Sequence, residues 1–253
     1  PTVNYASAEA HGKPIDQMQE IWLESLGQKI REYRTRHPRV QSISMGFAGP
    51  VGEEGDLTES AVIWGPEAHK VSNATLQKKW GLSVKVVNDL TAAVYRYGRS
   101  KKFSGMRTIA LITVSSGIGS KLFDVVHGNV VIDRQGRAGE IGHTIVDYAG
   151  NAIPGEGLKG ELNAYASGRG LSNLAKRLAR QKKFKVLYEG SALKTEIEKA
   201  GQTIGTIDRD LLTRLLVEAI KKKDDFSMQV MKTSITYLVR VLGPFILQNA
   251  PDA

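Results

Sequence analysis

The chain contains no cysteine. Disulfides, thiolate nucleophiles and cysteine-ligated zinc are excluded together by that absence. No apolar run approaches the roughly 18 residues that a membrane span needs, so no membrane partner is expected. The opening stretch PTVNYASAEAHGKP lacks the basic-then-apolar order of a secretory signal. A cytoplasmic protein is the simplest fit. Zinc-finger, RNP and homeodomain patterns are missing too, and no helix-turn-helix is evident. The net charge of +9 is therefore the only pointer to nucleic acid. Its basic clusters, RLARQKKFK (177–185) and KKK (221–223), sit at the ends of helical segments, where lysine suits solvent and the helix dipole. They read as a solvated face, and no nucleic-acid partner is expected.

With 253 residues, the chain can form one large domain or two modest lobes. Residues 15–36 place Ile15, Met18, Trp22, Leu26 and Ile30 on one stripe, an amphipathic helix with Asp16 in its first turn. A strand over 40–49 ends in glycine, and 59–64 is a second strand candidate. A short helix over 74–81 closes at Gly81, and a strand (83–87) and a helix (89–98) follow. Residues 108–114 and 118–126 look like paired strands, with a further strand at 129–133. The rest carries helical spacing over 162–181, 192–200, 209–223 and 226–250. Strands mixed with helices early, then a helical second half, read as α/β with two lobes. The expected boundary lies near residue 90, giving lobes 1–90 and 91–253. The final helix (226–247) is apolar enough to serve as core or interface.

Four segments carry chemical interest. In VVNDLTAA (86–93), Asn88 and Asp89 stand where a strand gives way to a helix. Open α/β folds bind ligands at that end of a strand. A donor beside a carboxylate suits a polyhydroxyl ligand, but Asp89 could equally be a plain helix cap. In TVSSGIGS (113–120), glycines let the backbone approach a ligand closely, and Ser115 and Ser116 can donate to phosphate oxygens. The segment lacks the GK[ST] ending of a Walker loop and does not open a helix as a Rossmann fingerprint would, so a tight glycine hairpin stays open. In GRAGEIGH (136–143), Glu140 and His143 are fixed three apart on a glycine-rich turn, and no third metal ligand is persuasive nearby. In GELNAYASGRG (160–170), Asn163 starts a helix followed by small residues, which allow close packing or a close ligand.

In order and spacing, GFAGPV, NDLTAA, SSGIGS, GRAGEIGH and LNAYASG together resemble the ROK family, named for repressors, open reading frames and kinases. The resemblance covers nearly the whole chain. It implies an actin-like (ribonuclease H-like), two-lobed ATPase fold. Family kinases transfer the γ-phosphoryl group of ATP to a hydroxyl of a hexose or hexosamine, with Mg²⁺. By this resemblance Asp89 matches the catalytic base and Asn88 its sugar-binding neighbour. Glu140 and His143 match residues that bind sugar hydroxyls, and Gly49 in the AGPV turn matches a backbone contact to the sugar. Ser116, Gly117 and Gly119 match the second phosphate loop. A polar pair built for hydroxyls rejects ligands lacking them, so the 137–143 turn reads as a hydroxyl clamp.

The chain departs from the family pattern in three places. The family's zinc loop, with three cysteines beside the histidine, is replaced by NAIPGEGLKGEL, so no structural zinc is expected. Asn163 stands where family kinases usually carry a sugar-binding glutamate; Glu161 should point elsewhere and not replace it. With VND in place of the family's more frequent END, Asn163 puts glucose in question and makes a related polyol, such as an aminosugar or a cyclitol, plausible. The family's N-terminal Asp-x-Gly-Gly-Thr phosphate hairpin and the glycine pair after its last strand are not found, so the chain reads as a fragment of a longer protein or a degraded relative. The expectation is an ATP-dependent sugar or cyclitol kinase, against a non-catalytic sugar-sensing regulator of the same family. A homodimer is compatible with the family.

Overall fold

A computed structural model describes residues 15–57, 71–150 and 158–252. The strand candidate at 59–64 lies outside the described residues. The chain divides into two compact units, each discontinuous in sequence. The first takes Pro1–Leu111, Lys121–Gly139 and Asp252–Ala253; the second takes Ile112–Ser120 and Glu140–Pro251. This division differs from a boundary near residue 90, which falls inside the first unit. A boundary read along the sequence cannot register a strand pair shared by both units.

In the first unit, helix α1 (Ile15–Arg36) is followed by strand β1 (Ser42–Phe47), helix α2 (Asn73–Trp80), strand β2 (Ser83–Asn88) and helix α3 (Asp89–Gly98). β1 and β2 pair in parallel, from Ser42 opposite Ser83 to Phe47 opposite Asn88. Parallel neighbours need a crossover, and α2 lies in the connection between them. Ser72 caps α2 in a reciprocal box with Thr75, and Gly81 closes it in the left-handed conformation. The Oδ1 of Asn73 accepts the Val86 N–H at 2.7 Å, tying the helix start to β2. The apolar stripe of α1 meets the strands through Leu23, Phe47, Leu76, Trp80, Val84 and Val86. Each such side chain removed from water contributes about 1.5–3 kcal/mol.

Strands β3 (Thr108–Val114), β4 (Ile118–Asp124) and β5 (Asn129–Val130) form a three-stranded sheet in that order. β3 and β4 give residues to both units. Val94, Ile109, Phe123 and Val130 form a second cluster in the first unit.

The second unit is mainly helical, with α4 (Asn163–Ala166), α5 (Gly168–Arg180), α6 (Lys182–Glu189), α7 (Ala192–Lys199), α8 (Arg209–Lys221) and α9 (Asp225–Asn249). The single helix expected over 162–181 is broken at Ser167, whose backbone is extended (φ −79, ψ 168). Its Oγ accepts the Gly170 N–H at 3.0 Å, so this residue leaves one helix to cap the next. Leu174, Leu178, Leu193, Ile197, Leu212, Leu216, Phe226 and Val230 fill the core. α9 is long and apolar enough to cross a membrane by length and composition, a property not registered in the sequence because polar residues interrupt its apolar runs. Phe226 and Val230 are fully buried in the unit's core, whereas only 17% of the helix's apolar window is buried.

Candidate active site

The sequence-predicted residues fall in two sets, one in each unit. Gly49, Asn88 and Asp89 belong to the first. Phe47 and Asn88 stand opposite each other at the carboxyl ends of two parallel strands, so the chain emerges from both strands at one edge. Asn88 is buried, and its side chain joins both exits. Its Nδ2 donates to the Gly49 carbonyl at 2.9 Å. Its Oδ1 accepts the N–H groups of Leu90 at 2.9 Å and Thr91 at 3.1 Å. Asn88, not Asp89, is therefore the N-cap of α3. Gly49 itself has φ 125, a conformation that glycine adopts without strain. Relieved of capping, Asp89 occupies the first helical turn with an exposed side chain. Its Oδ1 accepts the Leu90 N–H at 2.9 Å. The positive end of the helix dipole favours a carboxylate there.

The second set comprises Ser116, Gly117, Gly119, Glu140, His143 and Asn163, all in the second unit. The turn between β3 and β4 is closed by the Ser115 N–H donating to Gly117 O at 2.8 Å. It is held from outside by the Gly168 N–H on Ser115 O at 2.6 Å and by Arg169 Nε on Ser116 O at 3.0 Å. Gly119 is not in the turn. It lies inside β4 and is buried, so the turn proper is Ser115–Gly117. Ser116 is exposed, and with Gly168, Arg169, Asp210, Thr213 and Arg214 it lines a cleft of about 500 Å³. That cleft combines two arginines with the first turns of α5 and α8, a favourable setting for an anionic ligand.

Asn163 ties the remaining pieces together. Its Oδ1 accepts the Ile118 N–H at 2.8 Å, just past the turn. Gly142 packs on both: a Cβ there would lie 2.3 Å from Ile118 O and 2.4 Å from Asn163 Oδ1. Three segments separated in sequence thus meet only because position 142 has no side chain. Glu140 and His143 flank this contact on a short 3₁₀ turn (Ile141–His143), where the His143 N–H donates to Glu140 O at 3.1 Å.

Glu161 corrects the expectation that it points elsewhere. It is buried, its Oε2 lies 3.0 Å from His143 Nδ1, and its Oε1 accepts the Leu158 N–H at 2.9 Å. The sequence signal was an acid two residues before a helix. Only the pairing of 144–146 with 160–162 turns it toward the histidine. Among the described residues, no three histidine or acidic side chains converge as a metal site.

The ROK family model matches residues 3–249, so the chain belongs to the ROK family. Among curated proteins it is 40% identical over 158 residues to the C(7)-cyclitol 7-kinase of Streptomyces hygroscopicus subsp. jinggangensis, a match covering 61% of this chain and 43% of that protein. It is 30% identical over 161 residues to the 2-epi-5-epi-valiolone 7-kinase of an Actinoplanes species, covering 60% of this chain and 45% of that one. The match thus spans less than half the length of these relatives. The structure resembles a ROK family glucokinase from Streptomyces griseus in complex with glucose and AMPPNP, with a TM-score of 0.60 and 22% identity, covering 90% of this chain and 69% of that one. The fold is the α/β, actin-like ATPase fold of ROK sugar kinases.

Proposed function

We propose that the protein to which this chain belongs is an ATP-dependent kinase that phosphorylates a hydroxyl of a cyclitol or a related sugar. The observation that carries the reading is the Asn88 junction. It locks the ends of β1 and β2 together and presents Asp89 as an exposed carboxylate in the first turn of a helix.

In this reading Asp89 accepts the proton of the attacking hydroxyl. The hydroxyl oxygen bonds to the γ-phosphorus of ATP, the bond from that phosphorus to the bridging oxygen breaks, and ADP leaves. Proton transfer of this kind contributes about 10²–10⁴-fold, and alignment supplies most of the rest. Mg²⁺, when bound with the nucleotide, would neutralise phosphate charge. Gly49, Asn88, Glu140, His143 and Asn163 are the proposed acceptor-binding residues. Glu140 accepts hydrogen bonds, and the Asn163 amide keeps donors for a hydroxyl because its Oδ1 is already engaged. The cleft beside Ser116 and Gly117, with Arg169 and Arg214, is the proposed seat of the nucleotide.

A cyclitol has no anomeric centre, and Asn163 replaces a negative charge with an amide where the family usually addresses that centre. The C(7)-cyclitol 7-kinase and the 2-epi-5-epi-valiolone 7-kinase among the relatives support this preference. The test is ADP release by the full-length protein with Mg²⁺-ATP and a panel of cyclitols, aminosugars and hexoses. Turnover is expected with a C7 cyclitol. Absence of turnover with every acceptor, together with a ligand-induced rise in melting temperature, would replace the kinase with a sensor.

A further inference from the structure

Glu161 is 6% exposed, and a carboxylate removed from water is costly unless its oxygens are satisfied. Both are: Oε1 by the Leu158 N–H, Oε2 by the His143 ring. No lysine or arginine pairs with it among the described residues. The backbone around it is fixed as well. Ile145 and Glu161 form an antiparallel bridge, the Val146 N–H donates to Gly160 O at 2.8 Å, and the Leu162 N–H donates to Thr144 O at 2.9 Å. Glu161 therefore sits in a short ladder whose other strand begins at Thr144, directly after His143.

An ionised carboxylate only accepts hydrogen bonds. The hydrogen in the 3.0 Å contact must then be on His143 Nδ1. In a neutral imidazole the other nitrogen, Nε2, is left as an acceptor. The His143 side chain is 52% exposed, so the ring is open to a ligand. We propose that Glu161 is a positioning residue: it fixes His143 as the Nδ1–H tautomer and so dedicates Nε2 to accepting a hydrogen bond from a substrate hydroxyl. The inference deepens the reading of His143 as a hydroxyl ligand and rests on it. It adds a chemical selection: the hydroxyl at His143 must donate, so a deoxy or O-methyl acceptor at that position is rejected.

The direct test reads the tautomer in the wild-type protein. Long-range proton–nitrogen spectra of the ¹⁵N-histidine-labelled full-length protein report which ring nitrogen of His143 carries the hydrogen, with His143→Gln assigning the signal. The Nδ1–H form is expected in the wild type, and the Nε2–H form or a mixture in Glu161→Ala. A wild-type His143 in the Nε2–H form overturns the proposal, whether or not the protein turns over any acceptor. The kinetic arm uses Glu161→Gln, which fills the same volume. The acceptor KM should rise about tenfold, the equivalent of one hydrogen bond, with the ATP KM unchanged. An unchanged acceptor KM would overturn the selective role. A protein inactive with every acceptor but carrying the Nδ1–H tautomer would refute the kinase reading and keep the Glu161–His143 relation.

Discussion

The Asn88 side chain donates to the Gly49 carbonyl across 39 positions of sequence, at 2.9 Å. The same amide caps α3 through its oxygen, so one residue aligns two strand exits and a helix start. Asn88→Ala should lower the unfolding free energy by about 1–3 kcal/mol, through the lost cap and the unpaired carbonyl. Asn88→Asp keeps the cap but sets an acceptor against Gly49 O, and should fall between the two. Urea unfolding decides it. An aspartate variant as stable as wild type would show that the Gly49 bond contributes nothing.

The cap of α3 belongs to Asn88, and an asparagine at position 89 keeps an oxygen for the Leu90 N–H. Asp89→Asn should therefore leave the melting temperature close to wild type and preserve the rise caused by a bound acceptor. Turnover should fall by at least about 10²-fold, the usual loss of a positioned base. Wild-type turnover in this variant would remove Asp89 from the chemistry.

At Gly142, a single methyl group would collide with the backbone of Ile118 and the amide of Asn163. Gly142→Ala should cost about 1–3 kcal/mol, in the range of overpacked interiors. Denaturant midpoints measure it. Full stability would mean that the 139–143 turn can move away from Ile118.

The role of Asn163 divides by atom. Its Oδ1 is needed by the Ile118 N–H, so Asn163→Ala should destabilise by about 1–3 kcal/mol, whereas Asn163→Asp keeps the acceptor and should unfold like wild type. The aspartate variant should still bind the acceptor more weakly, because the amide donors are gone. Calorimetric titration with a cyclitol separates the two effects.

Asp208 caps α8 and accepts the N–H groups of Asp210 and Leu211. The Leu211 N–H above all holds its carboxyl below the ordinary aspartate value. A carboxyl depressed in the folded state stabilises above its unfolded value, and that contribution disappears as pH falls through the folded one. Asp208→Asn keeps a capping oxygen without titrating. Its melting temperature should therefore depend less steeply on pH below about pH 4. Parallel acid limbs in the two proteins would contradict the assignment.

Local periodicity carried much of the secondary structure. The helix over 15–36 and the strand over 108–114 appear with the expected bounds, because each has an unbroken apolar stripe or run. The 162–181 segment did not, because Ser167 obeys a capping bond rather than its neighbours' spacing. The lengths of β4 and β5 were overestimated for a related reason: their ends are set by pairing partners.

By itself the sequence determined the family, through short motifs whose order no other constraint would impose, and the absence of thiol chemistry, through the lack of cysteine. It also placed Asn88 and Asp89 at a strand end, since β-to-α transitions are written in local residue preferences. The tertiary structure decided which of that pair caps the helix, moved Gly119 out of the turn, and brought Glu161 to His143. The bonds of Asn88 to Gly49 and of Glu161 to His143 join residues far apart in sequence, and an isolated segment carries no record of its partner.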